Sequence, residues 1–269
     1  MTSTSPKPYR IGVALSGGGA KGFAHVGALK ALEENGIRPD AVAGVSAGAI
    51  VAALYAAGVP LDKMMKLFTD AKFRNFCEFT VKGGGFFKID KFKLFLRHAI
   101  GDYTDISELP VPVYIGATDL DHGTPAVFDS GDIIEAVAAS CSIPILFRPV
   151  EIDGVRYVDG GVLRNMPSWI LRDKCECLIG VNCSPLPDED YKNTVMDIAL
   201  RTYRLMLKAN VKDDMMLCDL AVETPEIASY KVFNLKEIQQ VYIRGYAATK
   251  SALKSWPLLD RYKINQIIQ

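Results

Sequence analysis

The first sixty residues contain two successive strand–turn–helix units, and this order constrains the fold more than any other feature. Residues 11–15 are apolar throughout, which is typical of a strand buried on both faces, and glycines at positions 17–19 interrupt the run. Apolar residues then recur with a helical period over residues 20–34. A second short apolar strand over residues 41–45 precedes a helix of small residues over 47–57. Repeated units of this kind predict the α/β class, a parallel sheet covered by helices.

The rest of the chain continues less regularly, without a linker or charge run that would divide it. We therefore predict one domain over residues 1–269, with the chemical motifs in residues 10–185 and C-terminal helices in residues 190–269. Strand patterns occur at residues 111–117, 125–129, 150–152, 155–158, 177–182 and 220–223. Helical patterns occur at residues 61–68, 91–99, 132–139, 194–218 and 235–254.

The composition excludes several classes of protein. The 31 Lys and Arg residues balance 31 Asp and Glu residues, whereas a nucleic-acid-binding protein usually has a basic excess. A chain of 269 residues with 49% hydrophobic residues can fold without disulfides or structural metals. The six cysteines, which include the pair Cys175 and Cys177, lack the partners of a zinc site and are expected to be reduced core residues. No apolar signal segment follows Met1, so we expect a cytoplasmic location.

One predicted strand-to-helix turn has the sequence Gly44-Val45-Ser46-Ala47-Gly48, which matches the Gly-x-Ser-x-Gly pattern of a nucleophile elbow. In such an elbow a tight turn exposes the serine hydroxyl, and the flanking glycines allow the strand and the helix to approach each other. The serine also lies at the positive end of the following helix dipole. Ser46 is therefore the candidate nucleophile, and the alternative is a packing turn of small residues.

The glycines after the first strand admit two interpretations. Gly17, Gly18 and Gly19 expose backbone N–H groups at the start of a helix, and such groups can bind the oxyanion of an acyl-transfer intermediate. Gly17, Gly19 and Gly22 also satisfy the Gly-x-Gly-x-x-Gly pattern of dinucleotide binding. That pattern requires an acidic residue at the end of the second strand, where Ser46 stands instead. The oxyanion interpretation is therefore favoured.

A serine nucleophile needs a base, and the chain has three histidines. They are His25 in the first predicted helix, His98, and His122 in a predicted turn. The α/β-hydrolase order of serine, acid and late histidine is absent, because no histidine follows position 122. Asp159 ends a short strand and precedes two glycines that allow close backbone approach. Asp159 is therefore the preferred base, and His98 is the alternative.

Taken together, three segments resemble the patatin-like phospholipase family. They are the glycine-rich segment at residues 17–22, the serine elbow at residues 44–48, and the motif Asp159-Gly160-Gly161. Residues 139–144 and 147–149 also look like the block that precedes the family's aspartate. The resemblance covers roughly residues 10–185, and the order of the three motifs makes it more specific than any one of them.

The resemblance implies a three-layer α/β/α fold with a mostly parallel central sheet. It implies hydrolysis of acyl esters in lipids, with Ser46 as nucleophile and Asp159 as general base. The backbone of Gly17, Gly18 and Gly19 is then the oxyanion hole. A Ser–Asp dyad of this kind needs no histidine, metal ion or cofactor. The implied partner is a lipid ester substrate, peripheral contact with a membrane is compatible with it, and the oligomeric state stays open.

Residues 61–100 bear on the substrate, because eight of the 12 phenylalanines fall in this stretch. Aromatic residues around the glycines at positions 83–85 would suit a mobile cap over an acyl-chain pocket. They would equally suit an ordinary core, and the lysines among them could face lipid phosphates or solvent. The eight are Phe68, Phe73, Phe76, Phe79, Phe86, Phe87, Phe92 and Phe95.

Two other functions stay open on the sequence alone. Acyltransferases that pass an acyl group to a thiol carrier also use Gly-x-Ser-x-Gly, but they use a histidine well downstream of the serine, which this chain lacks. A non-catalytic lipid or nucleotide binder could use the same scaffold. Covalent labelling with a fluorophosphonate separates the classes, because an enzyme is labelled at Ser46 and a binder is not.

Overall fold

The computed structural model of the protein describes residues 6–69, 78–79, 85–186 and 193–263. The strands in these ranges are β1 (Tyr9–Leu15), β2 (Ala41–Val45), β3 (Glu78–Phe79), β4 (Gly85–Lys88), β5 (Val113–Asp119), β6 (Thr124–Phe128), β7 (Ile145–Phe147), β8 (Val150–Ile152), β9 (Val155–Asp159), β10 (Cys175–Asn182) and β11 (Leu220–Glu223). The α-helices are α1 (Phe23–Glu34), α2 (Ala47–Ala56), α3 (Leu61–Thr69), α4 (Asp90–Ile100), α5 (Ile133–Ser140), α6 (Ser168–Leu171), α7 (Val195–Met215), α8 (Ile238–Lys254) and α9 (Leu259–Tyr262). None of these helices combines the length and apolar character needed to span a bilayer.

An eight-stranded sheet forms the middle of the molecule. Its strand order is β11-β10-β1-β2-β5-β9-β8, and β6 also pairs with β5. The strands from β11 to β5 run parallel to one another, whereas β6, β8 and β9 are joined by antiparallel pairing. The predicted α/β class with a mostly parallel sheet is therefore confirmed.

Alternate residues of the central strands face two separate layers of helices. Val13 and Leu15 of β1 pack into a core cluster with residues of α1, α2, α5 and α8. Ala14, between them, packs on the opposite side with Ile170 of α6 and Val211 of α7. Because side chains along a strand alternate between faces, one strand serves both cores. The three-layer α/β/α arrangement implied by the family resemblance is thus confirmed.

A small second sheet was not predicted from the sequence. It has the order β3-β4-β7, and in it Phe87 pairs with Phe147. Strands of two to four residues are too short to show a period of two, so their pattern carries no signal. The expected hinge at positions 83–85 lies outside the described residues except for Gly85, which begins β4.

The helix predicted from residue 20 begins later than expected. Gly19–Gly22 form a 3₁₀ helix, and α1 starts only at Phe23. The glycines leave room for a close approach, because a Cβ atom on Gly22 would lie 2.6 Å from Ala47 Cβ. The tighter turn therefore lets the starts of the first two helices meet beside the sheet.

Candidate active site

Ser46 occupies the turn between β2 and α2 with φ of 53° and ψ of −120°. A positive φ is uncommon for a residue with a side chain, and such strain is held only where the surroundings enforce it. Gly44 and Gly48 are required here, since a Cβ atom on either would collide with backbone, that of Gly48 and of Leu15 respectively. The result is a tight elbow that presents a nearly buried serine, 7% exposed, to a cleft.

A second buried serine holds the elbow in place. The N–H of Ser46 donates to Ser140 Oγ at 2.8 Å, and the Ser140 hydroxyl donates to Gly116 O at 2.6 Å. The thiol of Cys141 donates to Ser46 O at 3.3 Å. The sequence showed these two residues only as part of a family-like block. In the structure, the Ser140 hydroxyl links the backbone of Ser46 to β5.

Strand β5 also brings Asp159 to the elbow. Val45, just before Ser46, pairs with Gly116 of β5, and Asp159 pairs with the next residue, Ala117. Gly160 allows this approach, because a Cβ atom there would lie 2.6 Å from Gly116 O. Val45 and Asp159, which are far apart in the chain, are thereby paired with adjacent residues of β5.

Asp159 is completely buried, and its two carboxylate oxygens have different surroundings. Oδ1 accepts a hydrogen bond from Gly161 N at 2.8 Å. Oδ2 makes no hydrogen bond of standard geometry with any described residue. Burial raises the pKa of Asp159 to about 6, against the lowering effect of the Ser46 hydroxyl, the Gly161 N–H and the Tyr203 hydroxyl. The carboxylate is therefore ionised at neutral pH and still basic enough to take a proton.

The glycine loop after β1 presents two backbone donors to the same cleft. The Gly17 N–H donates to Asn165 O at 3.2 Å, so it already has an acceptor within the protein. The N–H groups of Gly18 and Gly19 have no acceptor among the described residues, and both glycines line the cleft with Ser46. Gly19 has a φ of +59°, and a Cβ atom on it would lie 2.5 Å from Val232 O. Of the three glycines named from the sequence, Gly18 and Gly19 are the candidate oxyanion donors.

None of the three histidines forms a hydrogen bond with Ser46 in the described part of the chain. His25 is fully buried beneath the glycine loop, where its Nε2 donates to Ser16 O at 2.8 Å, and burial lowers its pKa to about 4. His98 is exposed on α4, and the exposed His122 pairs with Asp119. In the described part of the chain, no group of three or more His, Cys, Asp or Glu side chains is arranged to hold a metal ion.

An apolar cavity of about 150 Å³ opens beside Ser46. Phe68 and Phe92, from the phenylalanine-rich stretch, are buried in its wall, and Phe68 packs edge-to-face on Phe23 with 5.2 Å between ring centroids. Phe86 is instead 44% exposed. Phe73, Phe76 and the side chain of Phe79 lie outside the described residues. The described phenylalanines of this stretch therefore include both core and pocket wall.

A second, smaller cleft meets the cavity at Ser46 and is lined by Lys21, Ser184, Tyr203 and Arg204. Lys21 is 4% exposed, and its ammonium group donates to Ala228 O at 2.8 Å. Tyr203 and Arg204 come from α7, which the sequence predicted as a helix without assigning it a role. No sequence signal distinguished these side chains, because only the packing of α7 brings them to the serine.

Comparison with known proteins agrees with the geometry. The family model described as Patatin-like phospholipase matches residues 13–172, which include Ser46 and Asp159. The chain belongs to this family. An uncharacterized NTE family protein of Mycobacterium tuberculosis is 35% identical over 168 residues, 61% of this chain and 45% of that protein. Lysophospholipase NTE1 of Saccharomyces cerevisiae is 29% identical over 185 residues, 66% of this chain but only 11% of that protein.

A solved structure supports the same fold. VipD from Legionella pneumophila superimposes with a TM-score of 0.51 and 16% sequence identity, covering 96% of this chain and 68% of that chain. At this identity the likeness concerns the fold alone. The chain spans less than half the length of the mycobacterial relative and about a ninth of the yeast one, as their coverages of 45% and 11% state.

Proposed function

We propose that this patatin-like protein hydrolyses carboxylic esters of lipids through an acyl-enzyme on Ser46. The observation that carries the proposal is the meeting of four features at one serine. These are a strained elbow, a buried carboxylate, two backbone N–H groups without an acceptor among the described residues, and an apolar cavity. Each feature corresponds to one requirement of ester hydrolysis, namely nucleophile, base, oxyanion hole and acyl-chain site.

In the acylation step, Ser46 Oγ attacks the ester carbonyl carbon while its proton passes to Asp159. The carbonyl oxygen becomes negative and is stabilised by the N–H groups of Gly18 and Gly19. One donor of this kind typically contributes about 2.7–4 kcal/mol to transition-state stabilisation. Asp159 then gives the proton to the leaving alcohol, and the acyl group stays on Ser46.

In the deacylation step, water replaces the alcohol. Asp159 takes a proton from the water as its oxygen attacks the acyl carbon, and the same two N–H groups stabilise the second oxyanion. Collapse of the intermediate releases the fatty acid and returns the proton to Ser46 Oγ. A base with a pKa of about 6 suits both directions of proton transfer near neutral pH.

The cavity indicates which part of the substrate lies on which side of the serine. Its lining is almost wholly apolar and includes Ile50, Leu54 and Met64, as an acyl chain requires. The smaller cleft, with Lys21 and Arg204 in its wall, is assigned to the leaving group. The yeast relative is named a lysophospholipase, and a single-chain phospholipid is accordingly the first substrate to test.

We further propose that the protein meets its substrate at a membrane surface. Next to the cleft, α7 exposes Leu205 (48%) and Met206 (38%) beside Lys208. Apolar and basic side chains together favour contact with anionic lipid. Cosedimentation with anionic and neutral vesicles measures this directly, and equal absence of binding to both would contradict it. The cytoplasmic location stays a prediction.

The activity is tested with a panel of phospholipids, lysophospholipids, acylglycerols and thioesters. Wild-type protein should release fatty acid and react with a fluorophosphonate, and Ser46→Ala should do neither while melting at a similar temperature. Ser142→Ala is the matched control, since this buried serine donates to Ala138 O at 2.8 Å and should stay active. Labelling without hydrolysis, but with acyl transfer to a thiol, would favour the acyltransferase, and a lack of labelling would favour a binder.

A further inference from the structure

We infer that Tyr203 is a positioning residue of the dyad, whose hydroxyl donates to Asp159 and keeps that carboxylate ionised and aimed at Ser46. This inference rests on the proposed function. Tyr203 lies beyond the segment that matches the family model, residues 13–172, and no motif in the sequence marked it.

The position of the Tyr203 hydroxyl is the first support. Its oxygen lies 3.0 Å from the point that a Cβ atom on Gly161 would occupy, and Gly161 N is bonded to Asp159 Oδ1 at 2.8 Å. Tyr203 also lines the cleft together with Ser46. The hydroxyl thus lies next to the residue whose N–H bonds the Asp159 carboxylate, in the wall of the cleft that contains Ser46.

The attachment of α7 to the segment after Asp159 is the second support. Asn210 Nδ2 donates to Gly161 O at 2.9 Å, and Asn165 N donates to Asn210 Oδ1 at 2.9 Å. One turn further on, Asp214 forms a salt bridge with Arg164. These bonds fasten α7 to the loop that carries the base, so the place of Tyr203 relative to Asp159 is set by several contacts rather than one.

The chemical need at Asp159 is the third support. Its Oδ2 atom is buried without a standard hydrogen bond among the described residues, and a buried carboxylate oxygen in that state is costly. The Ser46 hydroxyl can donate a hydrogen bond to this oxygen only until Ser46 is acylated, because acylation removes its proton. Afterwards Tyr203 is the remaining hydroxyl among the groups that lower the pKa of Asp159.

The neighbouring titratable groups are compatible with this role. Burial, and then the charge of Asp159, hold the pKa of Tyr203 well above its usual value, so the hydroxyl stays protonated and remains a donor. Cys141, which faces Asp159 from the end of α5, has its pKa raised by burial and then by Asp159, so it is a neutral thiol. The cations that line the adjoining cleft are Lys21 and Arg204.

The test is the pH dependence of kcat/KM for Tyr203→Phe, with a soluble short-chain ester as substrate. Loss of one hydrogen bond to a charged group should move the acidic midpoint upward by about one pH unit. Well below the midpoint, kcat/KM should then fall about tenfold, while at about pH 9 it should stay within about threefold of wild type. The rate of Ser46 labelling by a fluorophosphonate should show the same displacement, independently of lipid binding.

The matched control is Tyr55→Phe. Tyr55 is also half-buried and donates to a carboxylate, Glu33 Oε1 at 3.0 Å, but it does not line the cleft. Its pH profile should coincide with that of wild type. An equal loss at every pH for Tyr203→Phe, or an unmoved midpoint, would overturn the inference while leaving the proposed function intact. Wild-type protein that neither hydrolyses esters nor reacts with the fluorophosphonate would instead overturn the proposed function.

Discussion

Two regions of the molecule can be compared through one titratable side chain in each, His25 beneath the glycine loop and Asp159 at the end of β9, and both side chains are completely buried. Burial lowers the pKa of His25 from 6.5 to about 4 and raises that of Asp159 from 3.8 to about 6. Both shifts favour the neutral form, because a low-dielectric interior disfavours charge. The same effect therefore moves the pKa of His25 away from neutral pH and the pKa of Asp159 towards it.

In the proposed mechanism, this difference in pKa explains why a carboxylate suits the site as a base. A general base works best with a pKa near the working pH. Burial moves the pKa of Asp159 towards that pH and moves the pKa of His25 away from it. His25 instead acts as a neutral donor that supports the loop, with Ser16 O at 2.8 Å and Cys183 Sγ at 3.1 Å from its Nε2. In the proposed mechanism, burial thus suits Asp159 to act as the base and leaves His25 a structural role.

The strongest test of this comparison replaces each group by a side chain that carries a neutral amide. Asp159→Asn keeps the shape and can still accept from Gly161 N, but it cannot take the serine proton. We expect a loss of about 10²–10⁴-fold in kcat/KM. His25→Gln should stay within about tenfold of wild type, since it touches no reacting atom. Steady-state kinetics on both variants decides the matter, and a folded His25→Gln as inactive as Asp159→Asn would revive a histidine mechanism.

A second test concerns the glycine loop that lies above His25. Gly19→Ala places a Cβ atom 2.5 Å from Val232 O at a φ of +59°, so the loop must move and its donors with it. We expect kcat to fall about 10²–10³-fold with little change in KM. Gly58→Ala is the matched control, because Gly58 has a φ of +75° with nothing within 4 Å of the added atom. If both variants lose activity alike, backbone strain rather than the oxyanion donors is responsible.

The smallest expected effect is on the free energy of unfolding. Its dependence on pH has opposite signs for the two buried groups. The raised pKa of Asp159 means that stability is lost as the pH rises through about 6. Asp159→Asn should therefore gain up to about 3 kcal/mol of unfolding free energy at about pH 8 and nothing near pH 4.

The lowered pKa of His25 means that stability is lost as the pH falls from 6.5 towards about 4. The stability of His25→Gln relative to wild type should therefore improve as the pH falls, whereas that of Asp159→Asn improves as it rises. Urea unfolding of both variants from about pH 4 to pH 8 measures these slopes. Slopes of the same sign would contradict the assigned pKa shifts.

Much of the fold could be predicted where the pattern was long and regular. The strand predicted at 41–45 matches β2, and the helix predicted at 47–57 matches α2 to within one residue. The 3₁₀ helix Gly19–Gly22 was taken for the start of α1, since periodicity does not distinguish the two helix types. The sheet of β3, β4 and β7 was missed, because strands of two to four residues are too short to show a period of two.

The sequence by itself determined which residues have unusual local chemistry. Ser46 between two glycines, the triple glycine after β1, and Asp159 before two glycines are all local patterns, because a tight turn or a close approach restricts the residue type where it occurs. Tertiary structure alone decided how these residues meet. Strand β5 pairs with β2 and β9 and so sets Asp159 beside Ser46. Asn165 and Tyr203 have ordinary neighbours in sequence, and only packing brings them to the site, since burial and hydrogen bonding depend on partners that no local pattern encodes.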